Sequence, residues 1–368
     1  MIVKRAVLKS FRNYDNAEIR FSDGINVITG ENAFGKTNIL EAVYYLTGGR
    51  SFRTRSDKEL INFDADEAYI RGDVVSGGRE QNIEAYLSRG ARRRLLANGV
   101  RLRTASELSG RLTAVLFCPS DLDLIRDGAQ VRRRLLDDCI CQLKPGYSRI
   151  LADFSRAYEN KTRILRDWRE KPSLLDTLDD YNDFLAEKNA EIVHYRARLC
   201  SALSEKARAV HREFSGDTEE LTMEYKTVKT VDDPMKRPSE LLPMLLEHQR
   251  THRQAELESG LCLSGSHKDD VEIMINGNSA RSFASQGQAR TAALSIKLAE
   301  REIHREAAGE YPILLLDDVL SELDGSRQNF VLNRIGEGQV LITCCEGDEI
   351  LEKTGGNVIR IGKGKILQ

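Results

Sequence analysis

The chain has 368 residues, of which 40% are hydrophobic and 30% charged, and its formal net charge is −2. These values predict a soluble globular protein long enough for two domains, and the chain lacks the ~18 consecutive apolar residues that a membrane-crossing helix needs. The near-neutral charge does not by itself indicate nucleic-acid binding. Seven cysteines without a C-x-x-C spacing exclude a zinc hook, and the N-terminus enters a strand pattern without a signal peptide, so we expect reduced thiols in the cytosol.

The first region of the chain, to about residue 116, is rich in strand patterns and contains a glycine-rich loop. The loop consists of Gly30, Glu31, Asn32, Ala33, Phe34, Gly35, Lys36 and Thr37, which fits GxxxxGK[ST] at every fixed position. An apolar strand pattern at 25–29 and an apolar helix pattern at 39–46 flank it, which argues against a chance match. Backbone N–H groups and the positive helix end then face a phosphate chain. The sequence predicts a nucleoside triphosphate site in which Lys36 reaches the terminal phosphates and Thr37 binds Mg²⁺.

Arginines are concentrated in three places in the first part of the chain. They are Arg50, Arg53 and Arg55, then Arg89, Arg92, Arg93, Arg94, Arg101 and Arg103, and finally Arg132, Arg133 and Arg134. Within the second cluster, Asn98 and Gly99 predict a two-residue hairpin turn. Such clusters can follow a phosphate backbone, but they can equally be solvated faces. Charge alone leaves both interpretations open.

From about residue 128 to residue 260 the pattern becomes helical. Two series of mainly apolar residues are spaced alternately three and four apart, one on each side of Pro172. They are Leu151, Phe154, Tyr158, Lys161, Leu165 and Trp168, then Leu178, Tyr181, Leu185, Lys188, Ile192, Tyr195 and Leu199. A heptad seam on both sides of a proline turn predicts a short antiparallel helical hairpin, with one lysine interrupting each seam. We interpret this hairpin as an arm and not as a site.

Strand patterns return after residue 260, and a second candidate anion site follows them. Ser285, Gln286, Gly287 and Gln288 open a helix pattern that ends shortly before an apolar strand. Ser285 is a good N-cap, and the free N–H groups behind it can bind an anion. Alone, such a sequence is weak evidence, because N-caps of this composition are common. Its position in the chain, between the glycine-rich loop and the acidic strand described next, strengthens the prediction of an anion site.

Two adjacent acids, Asp317 and Asp318, end the apolar strand pattern at 313–316. A charge at the end of a buried strand is costly without a partner, and a metal beside the glycine-rich loop would supply one. We expect Asp317 to hold Mg²⁺ and Asp318 to orient or deprotonate the attacking water. A solvated turn after a core strand is the alternative interpretation, and the glycine-rich loop elsewhere in the chain makes it less favoured.

The glycine-rich loop and the acidic strand must meet in space to form one site. The sequence therefore predicts one α/β domain made of residues 1–116 and 261–368, with a mostly helical lobe, 117–260, inserted into it. Residues 285–288, placed between the glycine-rich loop and the acidic strand, resemble the signature motif of ABC-type ATPases. The fold class that this resemblance implies is an α/β P-loop ATPase head of the ABC type with an inserted, mostly helical arm.

Taken together, these motifs resemble the RecF family of bacterial DNA replication and repair proteins, among the SMC/Rad50-like ABC ATPases. The matching stretches lie at 11–14, 30–40, 51–55, 283–288 and 313–324 and span nearly the full length. The resemblance implies a cytoplasmic ATPase that uses ATP and Mg²⁺, forms an ATP-dependent homodimer and binds double-stranded and gapped DNA. It also implies work with RecR, RecO and RecA in the SOS response.

The resemblance also assigns residues. It implies that Arg12 and Asn13 join the nucleotide site, and that residues 285–288 bind the γ-phosphate held by the opposite subunit. Residues 321–324, ending in Asp324, resemble the D-loop of the same ATPases.

Two positions depart from related patterns. Ala289 stands where RecF-like chains commonly carry a second Gln, and Thr343 stands where many ABC ATPases have a histidine, which RecF-like chains also lack. The missing histidine predicts slow turnover and a switch role. The alternatives are a transporter's ATP-binding subunit, which would need a smaller insert, an SMC-type tether, which would need a longer arm, and a non-hydrolysing binding module, which would not need the acid pair.

Overall fold

The computed structural model describes residues 1–345 and 348–367, which form two compact units. The first unit contains residues 1–122, 142–145 and 290–368, and the second contains residues 123–141 and 146–289. The strands are β1 Ile2–Phe11, β2 Tyr14–Arg20, β3 Ile25–Thr29, β4 Glu67–Ser76, β5 Arg79–Ser88, β6 Arg94–Ala97, β7 Val100–Arg101, β8 Ala114–Phe117, β9 Leu221–Lys226, β10 Asp270–Ile275, β11 Asn278–Ser279, β12 Ile313–Asp317, β13 Val340–Cys344, β14 Asn357–Gly362 and β15 Lys365–Leu367. The helices are α1 Lys36–Gly48, α2 Asp123–Arg126, α3 Ala129–Leu143, α4 Tyr147–Asp167, α5 Leu178–Ser215, α6 Pro238–Ser259, α7 Ala280–Phe283, α8 Gln286–Ala308, α9 Gly325–Arg334 and α10 Asp348–Thr354.

A six-stranded sheet in the first unit has the order β15-β14-β3-β13-β12-β8, and every pairing except β14 with β15 is parallel. Strands β12 and β13 are buried along their whole length, as continuous apolar strands in a parallel sheet are expected to be. Strand β13 lies between β3 and β12. The carboxyl ends of these three strands therefore meet at one edge of the sheet, where the glycine-rich loop and the two acids are located.

A second, antiparallel sheet in the first unit has the order β2-β1-β4-β5-β6-β7. Its strands alternate buried and more exposed residues, so that one face packs into the core and the other faces solvent. The predicted turn is present between β6 and β7, where Asn98 and Gly99 have φ of 51° and 75°.

The second unit is built from helices and one small sheet, β11-β10-β9. The predicted helical hairpin is confirmed: α4 and α5 pack together and are joined through a short 3₁₀ helix, Pro172–Thr177. Helix α6 also packs on α5. The lysine that interrupts the first seam, Lys161, is fully buried, and its Nζ lies 2.7 Å from Glu256 of α6. This ion pair gives the interruption a structural reason, because a buried charge needs a partner.

The predicted α/β ABC-type fold class is confirmed, but the compact units do not follow the predicted boundary at residue 260. Residues 261–289 belong to the second unit, because β10 pairs with β9 along six residues. This pairing joins segments far apart in sequence, which a change in composition does not reveal. Among the described residues, no helix has both the length and the apolar character needed to cross a membrane.

Candidate nucleotide-binding site

The glycine-rich loop connects β3 to α1, which begins at Lys36. Gly35 has a φ of +109°, and a Cβ at this position would lie 2.6 Å from Asn13 Oδ1. Gly30 is equally constrained, since a Cβ there would lie 2.5 Å from the carbonyl oxygen of Ile361. Both positions therefore require glycine, which is the residue that lets a backbone approach its neighbours this closely. The loop's path is set by these contacts with β14 and with the turn after β1.

The Lys36 side chain folds back over the glycine-rich loop and is only 4% exposed. Its Nζ donates to the carbonyl oxygens of Gly30 at 2.6 Å and Glu31 at 3.3 Å, and to Asn32 Oδ1 at 3.5 Å. The Sγ of Cys345 lies 3.6 Å from the same Nζ. The ammonium group is thus held above the loop, where a bound phosphate would meet it. Glu31, Asn32 and Ala33 are exposed, and Phe34 is half-buried.

Thr37 and Asp317 are brought together from distant parts of the chain. Thr37 Oγ1 donates to Asp317 Oδ1 at 2.8 Å, and Thr343 Oγ1 donates to the same oxygen at 2.9 Å. Burial raises the pKa of the Asp317 carboxyl, while the hydrogen bonds from the two threonines act in the opposite direction. A hydroxyl next to a carboxylate is the oxygen donor set that Mg²⁺ favours. The residues therefore fit the predicted metal.

Asp318 follows in a strained backbone conformation with a φ of 51°. Its N–H donates to Thr343 Oγ1 at 2.9 Å. Its Oδ1 is buried and has no hydrogen-bond partner among the described residues. A buried acceptor without a partner is costly and uncommon in a folded protein. Such an oxygen is available to accept a hydrogen bond from a water molecule at the site.

The two other predicted contacts of the loop have different surroundings. Asn13 Nδ2 donates to the carbonyl oxygen of Phe34 at 2.9 Å, so Asn13 is in direct contact with the glycine-rich loop. Arg12 instead binds Glu41 with two nitrogens, at 2.8 and 2.9 Å. The structure thus gives Arg12 a positioning contact on α1, and nucleotide contact by Arg12 and Asn13 stays a prediction.

Sequence reasoning missed Glu41 and the function of Thr343. Glu41 is fully buried on α1, where it also accepts a hydrogen bond from Ser51 at 2.5 Å. A charged residue inside the apolar run 39–43 was the available signal, because such a charge must have a partner. From the sequence alone, Thr343 is considered only as the residue at the position where many ABC ATPases have a histidine. The structure shows that its hydroxyl connects Asp317 to the backbone of Asp318.

Residues 285–288 lie in the second unit at the start of α8. The Ser285 N–H donates to Gln288 Oε1 at 2.9 Å, and the Gln288 N–H donates to Ser285 Oγ at 3.2 Å. This reciprocal pair is a capping box, as the N-cap prediction required. Ser285 and Gln286 are exposed, and the preceding Phe283 is 75% exposed. The turn therefore presents polar groups and one large apolar side chain to solvent.

In the first unit, Asp324 caps α9 and accepts a hydrogen bond from the Arg327 N–H at 3.0 Å. This backbone hydrogen bond, together with the Arg327 guanidinium, lowers the pKa of the Asp324 carboxyl. The position of Asp324 just after β12 fits the predicted D-loop, and its contact with a partner's nucleotide stays a prediction.

The geometry agrees with what comparisons with known proteins find. Residues 2–363 match the family described as RecF/RecN/SMC N terminal domain. The fold is also similar to that of the Smc head domain of Pyrococcus furiosus, with a TM-score of 0.55 and 18% identity over 99% of this chain and 95% of that one. The class of protein is therefore an ABC-type ATPase head of the SMC kind.

Closer similarity is found to RecF proteins. The chain is 36% identical to the DNA replication and repair protein RecF of Clostridium botulinum (strain ATCC 19397 / Type A), over 100% of this chain and 99% of that protein. It is 37% identical to RecF of Clostridium acetobutylicum over the full length of both. The structure of the recombination mediator protein RecF-ATPrS in the RecFOR pathway matches with a TM-score of 0.93 and 32% identity, over 99% and 97% of the two chains. The chain belongs to the RecF family, and neither the transporter nor the tether alternative is supported.

Proposed function

We propose that this protein is a cytoplasmic, ATP-dependent DNA-binding protein of recombinational repair and replication that uses slow ATP hydrolysis as a switch. The observation that carries the ATP-dependent part of the proposal is the 2.8 Å hydrogen bond between Thr37 Oγ1 and Asp317 Oδ1. It places the hydroxyl of the glycine-rich loop and the carboxylate of β12 side by side, which is the arrangement that P-loop ATPases use.

The residues of the first unit have separate tasks in this proposal. Gly30 and Gly35 let the loop backbone approach the phosphates, and Lys36 supplies the positive charge that binds the terminal ones. Thr37 and Asp317 would hold Mg²⁺, which when bound neutralises charge on the phosphates. Asp318 would orient the attacking water through its unpartnered Oδ1.

A homodimer with two ATP molecules between its subunits would be the active state. Ser285 and its exposed neighbours start α8, whose first N–H groups can bind the γ-phosphate held by the partner subunit. Phe283, 75% exposed beside them, is suited to burial in a subunit interface. Thr343 is uncharged, so it cannot stabilise the transition state as a histidinium could, and slow turnover follows.

The DNA-related part of the proposal rests on family membership. The relatives carry the name DNA replication and repair protein RecF, and a similar solved structure is described as a recombination mediator in the RecFOR pathway. We therefore propose that the chain binds duplex and gapped DNA, contacts RecR and acts with RecO to place RecA on gaps during the SOS response.

DNA binding by the purified protein, with and without ATP, tests the proposal. Fluorescently labelled duplex, gapped and single-stranded DNA are titrated in Mg²⁺ buffer, and the Lys36→Met variant is the matched control. We expect ATP to tighten binding to duplex or gapped DNA in the wild type, and we expect no such effect in Lys36→Met. ATP-independent binding that is equal in both proteins would contradict the switch, and no binding to any DNA would contradict the function.

A further inference from the structure

The solvent face of the antiparallel sheet in the first unit carries an unusual row of side chains. Four adjacent strands contribute one residue each, in direct register: Lys9 of β1 faces Tyr69 of β4, Tyr69 faces Tyr86 of β5, and Tyr86 faces Arg94 of β6. We call these four residues the tyrosine row. Sequence patterns do not show it, because the members come from strands whose pairing is not local.

The two rings of the tyrosine row lie side by side, with their planes tilted at 51° to one another. Their centroids are 4.8 Å apart, and the Arg94 guanidinium lies over the Tyr86 ring, 4.9 Å from its centroid. Both hydroxyls donate to Glu84 Oε2, at 2.9 Å from Tyr69 and 3.0 Å from Tyr86. These shared hydrogen bonds fix the orientation of the rings, although both residues are only partly buried. Three planar groups are thus held next to one another on a solvated surface.

The cations at the ends of the row differ from three arginines on the same face, Arg5, Arg20 and Arg71, which are paired with acids. Arg5 and Arg71 both pair with Asp73, and Arg20 pairs with Glu18. Lys9 and Arg94 are exposed, and among the residues that the structure describes neither forms an ion pair. Within the described part of the chain, the row therefore has a cation without an ion pair at each end, and the Glu84 carboxylate is hydrogen-bonded to the aromatic pair between them.

We infer that the tyrosine row is a binding site for a single DNA strand, with bases stacked on the tyrosines and Arg94 and with phosphates on Lys9 and Arg94. The inference rests on the proposed function, since it says where this chain would hold one strand of a gapped substrate. Aromatic side chains between cations are the combination that binds single strands without sequence preference, because every base has a flat face.

The dimensions agree with a single strand. Neighbouring strands are about 4.8 Å apart, so the row from Lys9 to Arg94 is about 14 Å long. Other four-stranded sheets with exposed aromatic residues stack two or three unpaired bases over such a distance. The bases of a duplex are stacked on each other, so their faces cannot reach the tyrosines. A duplex would use only the two cations.

Photocrosslinking of the wild-type protein gives the most direct test. An oligothymidylate with 5-iododeoxyuridine at one position is bound to the protein with ATP and irradiated, and the modified residues are identified by mass spectrometry. We expect crosslinks on Tyr69 or Tyr86. Crosslinks confined to other parts of the chain would overturn the inference.

Binding measurements with matched variants give a second test. Tyr86→Leu keeps an apolar side chain but removes the stacking surface, and we expect about tenfold weaker binding to oligothymidylate. Lys9→Gln should weaken binding and lower the slope of log K against log salt by about 0.7. Arg20→Gln is the control, because Arg20 is on the same face but is paired with Glu18. It should bind like the wild type.

The outcomes separate this inference from the proposed function. ATP affinity and thermal unfolding are measured for each variant. These measurements distinguish a variant that is misfolded from a folded variant that has lost a contact with DNA. If wild-type protein binds gapped DNA and folded Tyr86→Leu and Lys9→Gln bind oligothymidylate normally, the tyrosine row is not the site and the proposed function stands. If the wild type binds no DNA, both fail.

Discussion

Thr343 Oγ1 donates a hydrogen bond to Asp317 Oδ1 at 2.9 Å and accepts one from the Asp318 N–H at 2.9 Å. One hydroxyl therefore holds the predicted metal ligand and sets the backbone position of the predicted water-orienting acid. Because Asp318 has a φ of 51°, its conformation is costly and needs such support. Thr343 acts through Asp317 and Asp318, and we regard it as a positioning residue.

Replacing Thr343 by valine should disturb both acids, because it leaves the partly buried Asp318 N–H without its acceptor. We expect a loss of about 1–3 kcal/mol in the free energy of unfolding and a clear decrease in ATP turnover, measured by chemical denaturation and steady-state hydrolysis. Thr343→Ser, which keeps the hydroxyl, should restore both. If valine and serine variants hydrolysed ATP equally, the hydroxyl would have no positioning role.

The raised pKa of Asp317 predicts a pH-dependent effect on stability. Burial disfavours the charged carboxylate in the folded state, so the folded protein binds this proton more tightly than the unfolded chain does. The contribution of Asp317 to stability is therefore greatest below the usual Asp pKa of about 3.9 and is lost as the pH rises through the raised value.

Asp317→Asn should accordingly be more stable than the wild type at neutral pH, and its advantage should shrink as the pH falls toward about 4. The amide oxygen can still accept hydrogen bonds from Thr37 and Thr343. Denaturant titrations of both proteins at several pH values measure this difference. The Mg²⁺-dependent affinity for nucleotide should be lower in Asp317→Asn than in the wild type. An advantage that grew toward acid pH would show that the sign of the shift is wrong.

Much of this site could be predicted from the sequence, because its main parts are local patterns. The glycine-rich loop, the Ser285 cap and the acidic strand end each consist of consecutive residues whose chemistry shows in the order of amino acids. The meeting of the glycine-rich loop and the acidic strand end could also be expected, since the carboxyl ends of parallel strands lie at one edge of a sheet.

The features that sequence reasoning missed depend on pairings between distant segments. Arg12 binds Glu41, and Lys161 binds Glu256, but nothing within either segment specifies the partner. The tyrosine row depends on the register of four strands in the same way. The boundary at residue 260 differs from the compact units for the same reason, because β9 and β10 pair across more than forty residues of intervening chain.

Asp318→Asn separates nucleotide binding from hydrolysis. Asparagine tolerates the left-handed conformation at this position, so the fold should be kept. Lys36, Thr37 and Asp317 remain to bind ATP and Mg²⁺, but the carboxylate that orients water is lost. We expect wild-type nucleotide affinity, little turnover and a dimer that persists with ATP, as measured by sedimentation and phosphate release. Hydrolysis at the normal rate would assign the catalytic function to another group.

Ser285 provides the most specific test of the dimer, because it should act on the partner subunit's nucleotide. Ser285→Arg places a bulky, charged side chain where two subunits would close on ATP, so the ATP-dependent dimer should not form. ATP affinity of the monomer should change little, since Lys36, Thr37 and Asp317 are intact. Ser285→Thr, which keeps a capping hydroxyl at the start of α8, is the matched control and should dimerise.

Mixing Ser285→Arg with Lys36→Met extends this test. In a heterodimer, one composite site contains both lesions, whereas the other combines the intact loop of one subunit with the intact Ser285 of the other. If the two sites work independently, up to about half of the wild-type activity per heterodimer should return. Sedimentation with ATP, together with hydrolysis by the mixture, measures this recovery. A Ser285→Arg protein that dimerised normally with ATP would contradict the shared site. Recovered activity in the mixture would support it, because only residues contributed across the interface can complement each other in this way.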